Sequence, residues 1–329
     1  MPLITVTAGG LYCAAGDFYV DPWRPAARAV ITHAHGDHLR AGSSQYFVSR
    51  AGAGLARRRL PPDAQVSALG YGEAVAFGDV RVSLHPAGHV LGSAQVRIEH
   101  GGETWVVSGD YKRDPDPTCA PFEVVPCDVF ISEATFALPI YRWTPAAAVA
   151  EEIHAWWMAN RERGLASVLF AYALGKAQRV LAELAALTRE PVYVHGAIAS
   201  LVEAYREAGI TMLPTLAPEA TRRSGYAGAL VLAPPSAAGS PWMRRFGESA
   251  TGFCSGWMRV RGDRRRRGYD RGFVLSDHAD WPSLLRSFRE TGARRILLTH
   301  GHTETMCRYL REQGVDAAAL ATDYGAEDA

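Results

Sequence analysis

The stretch THAHGDH, residues 32–38, follows the short apolar run ARAVI and brings three histidines and one aspartate close together in the chain. In an extended loop His33 and His35 point to the same side, while Asp37 and His38 can turn toward a neighbouring point. One short loop can therefore supply two ligands to each of two metal ions. Neutral imidazole and carboxylate suit zinc, and also manganese or iron. The sequence thus predicts a metal centre at the end of a strand.

Two further polar residues come at the ends of apolar runs. His89 lies in HPAGHVLGSAQ after the run DVRVSL, and Asp110 lies in VVSGDY after ETWVV. Loops after the strands of a rigid sheet are common places for binding residues. Together with the 32–38 loop, these positions predict further ligands. His85, in the same loop as His89, is the weaker candidate because a surface histidine at a strand end accounts for it.

Composition excludes several classes of protein. The 329 residues carry a net charge of +1, which is not that of a strongly basic nucleic-acid coat protein. No apolar run approaches the ~20 residues that span a bilayer, and the first residues do not resemble a secretion signal. The five cysteines form no CxxC pair, which favours reduced thiols. We therefore expect a cytoplasmic protein without a membrane partner.

The basic residues are strongly skewed toward arginine. Lys112 and Lys176 are lysines, so the other 33 of the 35 basic residues are arginines. Such a skew is typical of a GC-rich genome. Arginine also binds phosphate in a bidentate manner, so a basic cluster here could hold a nucleic-acid backbone.

The pattern of apolar residues changes along the chain. Up to about residue 135, short β-rich runs such as DVRVSLHPA, SAQVRIEH, ETWVVSGD and CDVFISEA alternate with turn residues. After Thr144, strand-like runs alternate with helical patterns such as KAQRVLAELAALTRE and AIASLVEAYREAG. This alternation predicts βαβ units with a parallel sheet, and so the α/β class.

Several motifs together carry a family resemblance. HAHGDH, GHVLG and SGD, in this order, resemble the metallo-β-lactamase fold. ISEATF, ALGKAQRV, SDHAD and LTHGH resemble its β-CASP branch of nucleic-acid hydrolases, and the wording DPW, THAHGDH, GHVLGSAQ and SDHADW resembles the bacterial ligase-associated DNA-damage-response exonucleases. The resemblance covers essentially the whole chain. It implies a four-layer αββα metallo-β-lactamase domain, residues 1–139 and 272–329, with an inserted βαβ-type β-CASP domain, residues 140–271.

The resemblance also implies a ligand set for two divalent ions, with zinc expected and manganese as the alternative. One ion would be held by His33, His35, His89 and Asp110. The other would be held by Asp37, His38, Asp110 and His300, with Asp110 bridging. His302, two residues beyond His300, is the alternative ligand. Asp21, in FYVDPW, matches the acid that supports the metal loop, although an Asx turn before Pro22 would also account for it.

The implied catalytic residues are Asp37, Glu133 and His278. Two metals about 4 Å apart can neutralise a phosphodiester oxygen and acidify water. His278 could then act as general acid or as a hydrogen-bond donor to the scissile phosphate. Asp277 and Asp280 flank it. Either could orient the imidazole or cap the following helix, and Asp280 before Trp-Pro favours the cap.

The function implied is that of a DNA exonuclease in repair, acting on single strands from the 5′ end, with DNA as partner and a DNA ligase and helicase in the same system. Histidine at position 300 is typical of RNA-processing members of the family, which keeps an RNA nuclease as the alternative. A small-molecule (thio)ester or lactone hydrolase leaves ALGKAQRV and SDHAD unexplained. A catalytically silent nucleic-acid scaffold is disfavoured because no ligand position is missing.

An arginine cluster precedes SDHAD in the sequence. It could form a backbone-phosphate track or a solvated loop. The nucleic-acid-binding residues predicted within it are Arg264, Arg265, Arg266 and Arg267.

Overall fold

The computed structural model describes residues 2–219, 225–260 and 268–322. The chain divides into two compact units: Met1–Arg142 with His278–Ala329, and Trp143–Asp277. The predicted phosphate track Arg264–Arg267 lies outside the described residues. Within the described part of the chain, no helix is both long and apolar enough to cross a membrane.

The first unit contains a six-stranded sheet built from the amino-terminal part of the chain. Its strands lie in sequence order, and the pairings are antiparallel from β1 to β3 and parallel from β3 to β6. The strands are β1 (Thr5–Thr7), β2 (Gly10–Cys13), β3 (Phe18–Val20), β4 (Arg28–Val30), β5 (Gln45–Ser49) and β6 (Gln65–Leu69). A short helix, α1 (Ala53–Arg59), packs against β5 and β6.

A seven-stranded sheet completes this unit, in the order β19-β18-β11-β10-β9-β8-β7. Strands β7 to β10 pair antiparallel, and β10, β11, β18 and β19 pair parallel. The strands are β7 (Ala74–Phe77), β8 (Val80–Pro86), β9 (Ala94–His100), β10 (Glu103–Val107), β11 (Val129–Ala134), β18 (Arg295–Gly301) and β19 (Asp316–Ala319). Two helices belong with it: α5 (Trp281–Glu290) and α6 (Thr303–Glu312).

Alternation of side chains along the strands gives this second sheet two buried faces. On β11, Val129 and Ile131 join a core shared with residues of the first sheet, whereas Phe130 joins a core shared with α5 and α6. The period of two follows from strand geometry. One face therefore packs on the other sheet and the opposite face packs on helices. The predicted runs DVRVSLHPA, SAQVRIEH, ETWVVSGD and CDVFISEA correspond to β8 to β11.

The second unit is built around a parallel sheet in the order β14-β13-β15-β12-β16-β17, which confirms the parallel arrangement expected from the strand–helix alternation. Its strands are β12 (Ala166–Phe170), β13 (Val192–Val194), β14 (Thr215–Leu216), β15 (Leu230–Ala233), β16 (Ser249–Cys254) and β17 (Arg271–Phe273). Its helices are α2 (Ala146–Glu162), α3 (Lys176–Leu184) and α4 (Gly196–Glu207). These helices share one apolar core with the sheet.

Candidate metal centre

The structure brings together four predicted ligands from three loops of the first unit. The ligand atoms of His33, His35, His89 and Asp110 all lie within 4.8 Å of one another. His35 Nδ1 is 3.0 Å from His33 Nε2 and 3.1 Å from His89 Nε2. Asp110 Oδ2 is 3.5 Å from His33 Nε2 and 3.8 Å from His89 Nε2. Three imidazole nitrogens and one carboxylate oxygen therefore face a common point.

The remaining predicted ligands gather on the other side of Asp110. His38 Nε2 is 3.5 Å from Asp37 Oδ2 and 3.6 Å from Asp110 Oδ2. His300 Nε2 is 3.0 Å from Asp110 Oδ1. The Asp110 carboxylate thus touches members of both predicted ligand sets, which is the arrangement expected of a bridging ligand.

The separations suit tetrahedral metal coordination. Ligand atoms that each lie ~2.0–2.1 Å from one tetrahedral ion are roughly 3.3 Å apart. The four distances given above for the first set, 3.0 to 3.8 Å, bracket that value. The donor set of imidazole nitrogen and carboxylate oxygen is one that zinc and related divalent ions accept. The residues therefore fit divalent ions.

Hydrogen bonds to the other ring nitrogen orient two of these histidines. His38 Nδ1 donates to Asp21 Oδ2 at 2.7 Å. The Thr32 hydroxyl donates to the same oxygen at 2.6 Å, so at its 3.0 Å contact with His33 Nδ1 it acts as acceptor. When a metal binds, both histidines would carry the ring hydrogen on Nδ1 and present the Nε2 lone pair to the centre. Such outer contacts fix the tautomer and orientation of a ligating imidazole.

A second threonine, Thr299, orients the imidazole ring of His300 in the same way. The Thr299 hydroxyl donates to the Ser132 carbonyl oxygen at 3.2 Å, and His300 Nδ1 lies 3.2 Å from that hydroxyl. The ring hydrogen of His300 therefore goes to Thr299 Oγ1, and Nε2 faces Asp110. Sequence reasoning missed both threonines. The signal was present, since VITH and LLTH each place Thr-His at the end of an apolar strand.

Asp21 supports the metal loop through hydrogen bonds to Thr32, the first residue of that loop. Its carboxylate also accepts the Thr32 amide hydrogen at 2.8 Å, and its own amide donates to the Val30 carbonyl at 3.0 Å. The residue has a positive φ of 45°, a conformation that aspartate tolerates better than most residues. Asp21 is buried, so its hydrogen bonds to the start of the loop are shielded from water.

The backbone beside two ligands is closely packed. Gly109 precedes Asp110 with a φ of 56°, and a Cβ there would lie 2.6 Å from the Thr32 side chain. Gly301 follows His300 with a φ of 85°, and a Cβ there would lie 2.3 Å from the Ala134 carbonyl oxygen. Only glycine allows these close approaches, which set where the two ligands emerge.

The electrostatics of the cluster favour positive charge. Burial, together with the neighbouring His38 imidazole, lowers the pKa of His33 well below its usual value. Burial also lowers the pKa of His38, but carboxylates, those of Asp110 and Asp21 foremost, outweigh it and raise this pKa to about 10. Burial raises the pKa of Asp110, while nearby imidazoles, His38 first, hold it well below its usual range. A divalent cation satisfies the same carboxylates.

A carboxylate and an imidazole lie next to the centre. Glu133 Oε2 accepts a hydrogen bond from His278 Nδ1 at 2.8 Å, and Glu133 Oε1 accepts from the Tyr111 amide at 2.7 Å. Ligand atoms of Asp110, Glu133 and His278 lie within 4.8 Å of one another. The Nδ1 atom of His278 thus donates to Glu133.

Known proteins with similar sequences identify the family. A Probable DNA ligase from Opitutus terrae is 32% identical over 325 residues, which are 98% of this chain and 32% of that protein. Endoribonuclease YSH1 from Gibberella zeae is 32% identical over 122 residues, 36% of this chain and 14% of that protein. Both are proteins of the metallo-β-lactamase/β-CASP family. The chain belongs to this family. It spans about a third or less of the length of these curated relatives.

The fold of this β-CASP chain also has a solved counterpart. The crystal structure of a protein of unknown function from Enterococcus faecalis V583 matches with a TM-score of 0.59 and 12% sequence identity, covering 91% of this chain and 80% of that one. At that identity the match concerns the fold alone. No protein-family model matches the sequence.

Four residues near the β-CASP motifs take roles apart from the metal cluster. The Asp280 carboxylate accepts from the Ser283 amide at 3.0 Å and caps α5, as favoured from the sequence. Asp277, an alternative orienting group for the imidazole, instead pairs with Lys176 at 2.7 Å. His85 contacts Glu123 at 3.0 Å. His302 stacks on the Tyr141 ring, whereas His300 Nε2 lies 3.0 Å from Asp110 Oδ1.

Proposed function

We propose that the protein is a metal-dependent nuclease that hydrolyses phosphodiester bonds. The observation that carries this proposal is the cluster around Asp110, where two sets of ligand atoms share one carboxylate and the His278–Glu133 pair lies beside them. Two adjacent ions with an independent proton donor suit the displacement of an alkoxide from phosphorus.

The roles of the chain's own residues follow from this geometry. When bound, the divalent ions offset the charge of the phosphodiester and acidify water. Water loses one proton to solvent and adds to phosphorus, the P–O bond to the leaving oxygen breaks, and the leaving oxygen takes a proton from His278 Nε2. Glu133 accepts the Nδ1 hydrogen at 2.8 Å and so keeps the ring oriented. Asp37 contributes a ligand oxygen next to His38.

Zinc is the metal we propose for this centre, with manganese as the alternative. The first set contains three imidazole nitrogens and one carboxylate, a nitrogen-rich environment that suits zinc. The second set has two carboxylates, Asp37 and Asp110, for its two imidazoles, which oxygen-preferring manganese tolerates better. The two positions can therefore differ in affinity.

DNA is the substrate we propose. The relative named Probable DNA ligase matches 98% of this chain, whereas the relative named endoribonuclease matches 36%. A nuclease segment within a protein named as a ligase suggests the trimming of ends before joining. We therefore propose a cytoplasmic repair exonuclease that acts from the 5′ end, with a DNA ligase and a helicase as partners. The histidine at position 300 favours the second candidate, an RNA-processing nuclease.

We propose that the substrate is a single strand, because the side chains of the metal centre are buried. His33, His38, His89 and Asp110 are each at most 5% exposed. A phosphodiester must therefore enter a recess to reach Asp110. A duplex is stiff, with a persistence length of roughly 150 base pairs, whereas one strand bends easily at a single phosphate. The preference is for single-stranded DNA.

The domain organisation we propose is a four-layer αββα metallo-β-lactamase domain interrupted by a β-CASP domain. Support for the layers comes from the shared core of the two sheets, from α5 and α6 on the outer face of one sheet, and from α1 against the other. Support for the insertion comes from the second unit, Trp143–Asp277, whose sheet is entirely parallel.

The arginine cluster remains a proposal from the sequence. If Arg264–Arg267 follow the backbone of the substrate, their joint replacement by glutamine should raise KM and flatten the dependence on salt, because fewer counterions are released on binding. Unchanged KM and salt dependence would assign the cluster to a solvated loop.

One digestion panel tests the proposed function. Linear and circular DNA and RNA, single- and double-stranded and labelled at either end, are incubated with the protein loaded with zinc or manganese. We expect linear single-stranded DNA to shorten from its 5′ end. Cleavage of circular DNA at the same rate would identify an endonuclease. Faster loss of RNA than of DNA of equal sequence would favour the RNA-processing candidate. No cleavage of any strand with either metal would overturn the proposal.

A further inference from the structure

The second unit contains a buried cluster of charged side chains at the start of α3. Lys176 Nζ is 2.7 Å from Asp277 Oδ2, and Arg179 Nη1 is 3.6 Å from Asp277 Oδ1. Arg179 Nη1 also donates to the Ser276 carbonyl oxygen at 2.8 Å. The Lys176 and Asp277 side chains are 4% and 5% exposed, and that of Arg179 is 2% exposed. We call Lys176, Arg179 and Asp277 the α3 ion cluster.

Stability alone does not account for such a cluster. Replacing a buried ion pair by apolar side chains of similar volume is often neutral or even stabilising, because desolvation of the charges offsets their attraction. Lysine is also rare in this chain, with 33 of 35 basic residues being arginine. Both lysines are buried and paired, Lys112 with Asp114 at 2.8 Å. Arginine serves nearly everywhere else, so the ammonium at position 176 indicates a requirement of shape and charge.

The α3 ion cluster holds the chain that leads directly into His278. Arg179 fixes the carbonyl of Ser276, and Lys176 fixes the side chain of Asp277, the residue bonded to His278. On the other side of His278, the Ala279 amide donates to the Tyr111 carbonyl oxygen at 2.7 Å. The backbone is thus held on both sides of one imidazole.

We infer that Lys176 and Arg179 are positioning residues for the proton donor His278, acting through Ser276 and Asp277. They do not touch the reacting atoms. Their effect is to keep His278 Nε2 at the distance from which it reaches the leaving oxygen. A displacement of about 1 Å at such a group can cost on the order of 100-fold in rate. This inference rests on the proposed nuclease function.

The test separates proton donation from every other contribution. It compares a DNA strand with the same strand carrying sulfur in place of the bridging oxygen that leaves, since a thiolate leaves without a proton. The products of wild-type digestion show which bridging oxygen leaves. In Lys176→Met and Asp277→Asn we expect cleavage of the oxygen strand to fall roughly 10- to 100-fold, while the sulfur strand keeps nearly the wild-type rate. Metal content should stay at the wild-type value.

Four further variants complete the experiment. His278→Ala should show the same selective loss, and adding Lys176→Met to it should cause no additional loss, because both act on one step. Glu190→Gln, which removes a half-exposed carboxylate paired with Arg161 in the same unit, should leave both strands unaffected. The double variant Lys176→Met/Asp277→Asn carries no unpaired lysine or aspartate, so it keeps the test valid if a single variant does not fold.

Three results would overturn the inference. Equal losses on both strands would show a general structural role. Loss of metal would place the effect in the ligand set. A further loss when Lys176→Met is combined with His278→Ala would show that the two act independently. If the wild-type protein cuts neither DNA nor RNA, the proposed function itself fails, which is a different result from any of these.

Discussion

Two buried polar clusters of this molecule differ in whether their charged groups find opposite charges within the chain. The metal cluster of the first unit brings imidazole nitrogens and carboxylate oxygens toward Asp110. The Nδ1 atoms of His33, His38 and His300 face their supporting oxygens, so in the metal-bound form the converging nitrogen and oxygen atoms would present lone pairs. Lone pairs of this kind require a cation from outside the chain.

The α3 ion cluster of the second unit has the opposite character. Its ammonium and guanidinium groups carry hydrogens, and the Asp277 carboxylate and Ser276 carbonyl accept them. Opposite charges meet within the chain, so the cluster does not depend on a cation from outside. Burial of charge is therefore a poor guide to a ligand site by itself. What distinguishes the two clusters is whether opposite charges are paired within the chain.

The largest effect should come from Asp110, the carboxylate shared by both ligand sets. In Asp110→Ala we expect loss of both ions and a fall in activity of at least ~10³-fold, since the metals supply several kcal/mol to the reaction. His300→Ala should lose only one ion. Metal content per chain, measured by mass spectrometry, checks both.

The matched control for His300 is His302→Ala, two residues further along the chain. It should keep both ions. If His302→Ala loses an ion and His300→Ala does not, the ligand at the end of β18 is wrongly assigned. Equal retention of metal in Asp110→Ala and wild type would remove the bridging role.

The next largest effect distinguishes loss of the catalytic step from loss of metal binding. His278→Ala should keep its metals and lose ~10²- to 10⁴-fold in rate, the range for a positioned proton donor. His85→Ala is the control, because His85 lies near the end of β8, four residues before His89, and contacts Glu123. It should change neither metal content nor rate. Loss of metal in His278→Ala would make His278 a ligand.

Much of the metal centre could be predicted from the sequence, because its residues follow strands. THAHGDH follows β4 and Asp110 follows β10, so the strand pattern alone placed them at loop starts. The long-range partners could not be derived this way. That Glu133 binds the Tyr111 amide and the His278 ring depends on how strands β10 and β11 pair, which no local pattern contains.

Some features of the fold could not be predicted from the sequence pattern. The helical pattern after ALG predicts a helix over 176–190, yet α3 ends at Leu184. Beyond it the Ala185, Ala186 and Leu187 amides bond to carbonyls three residues back, a tighter turn that closes the helix. The Lys176–Asp277 pair was not predicted, because its residues are a hundred positions apart. The local sequence around each residue explains that residue without the pair.

A smaller effect should come from Asp21, which supports ligands without binding metal. Asp21→Asn keeps the size and the tolerance for positive φ but weakens the bonds to Thr32 and His38, so metal affinity should fall roughly 10- to 100-fold. Asp17→Asn is a close control, since Asp17 also has a positive φ of 49° but is exposed. Titration with a competing chelator measures both. Equal affinities in the two variants would contradict a supporting role for Asp21.

The smallest effects concern stability and compare buried with exposed ion pairs in the second unit. Asp277→Asn leaves Lys176 buried without its counter-charge, so the free energy of unfolding should fall by ~3 kcal/mol. Glu190→Gln breaks a half-exposed pair with Arg161, whose worth is at most ~1 kcal/mol. The double variant Lys176→Met/Asp277→Asn should be more stable than Asp277→Asn, because no unpaired lysine remains inside. Urea unfolding of the three proteins measures the order. If the double variant is the least stable, then the ion pair itself stabilises the unit, and not only the avoidance of an orphaned charge. The pairing of opposite charges that sets the α3 ion cluster apart from the metal cluster would then also contribute directly to folding.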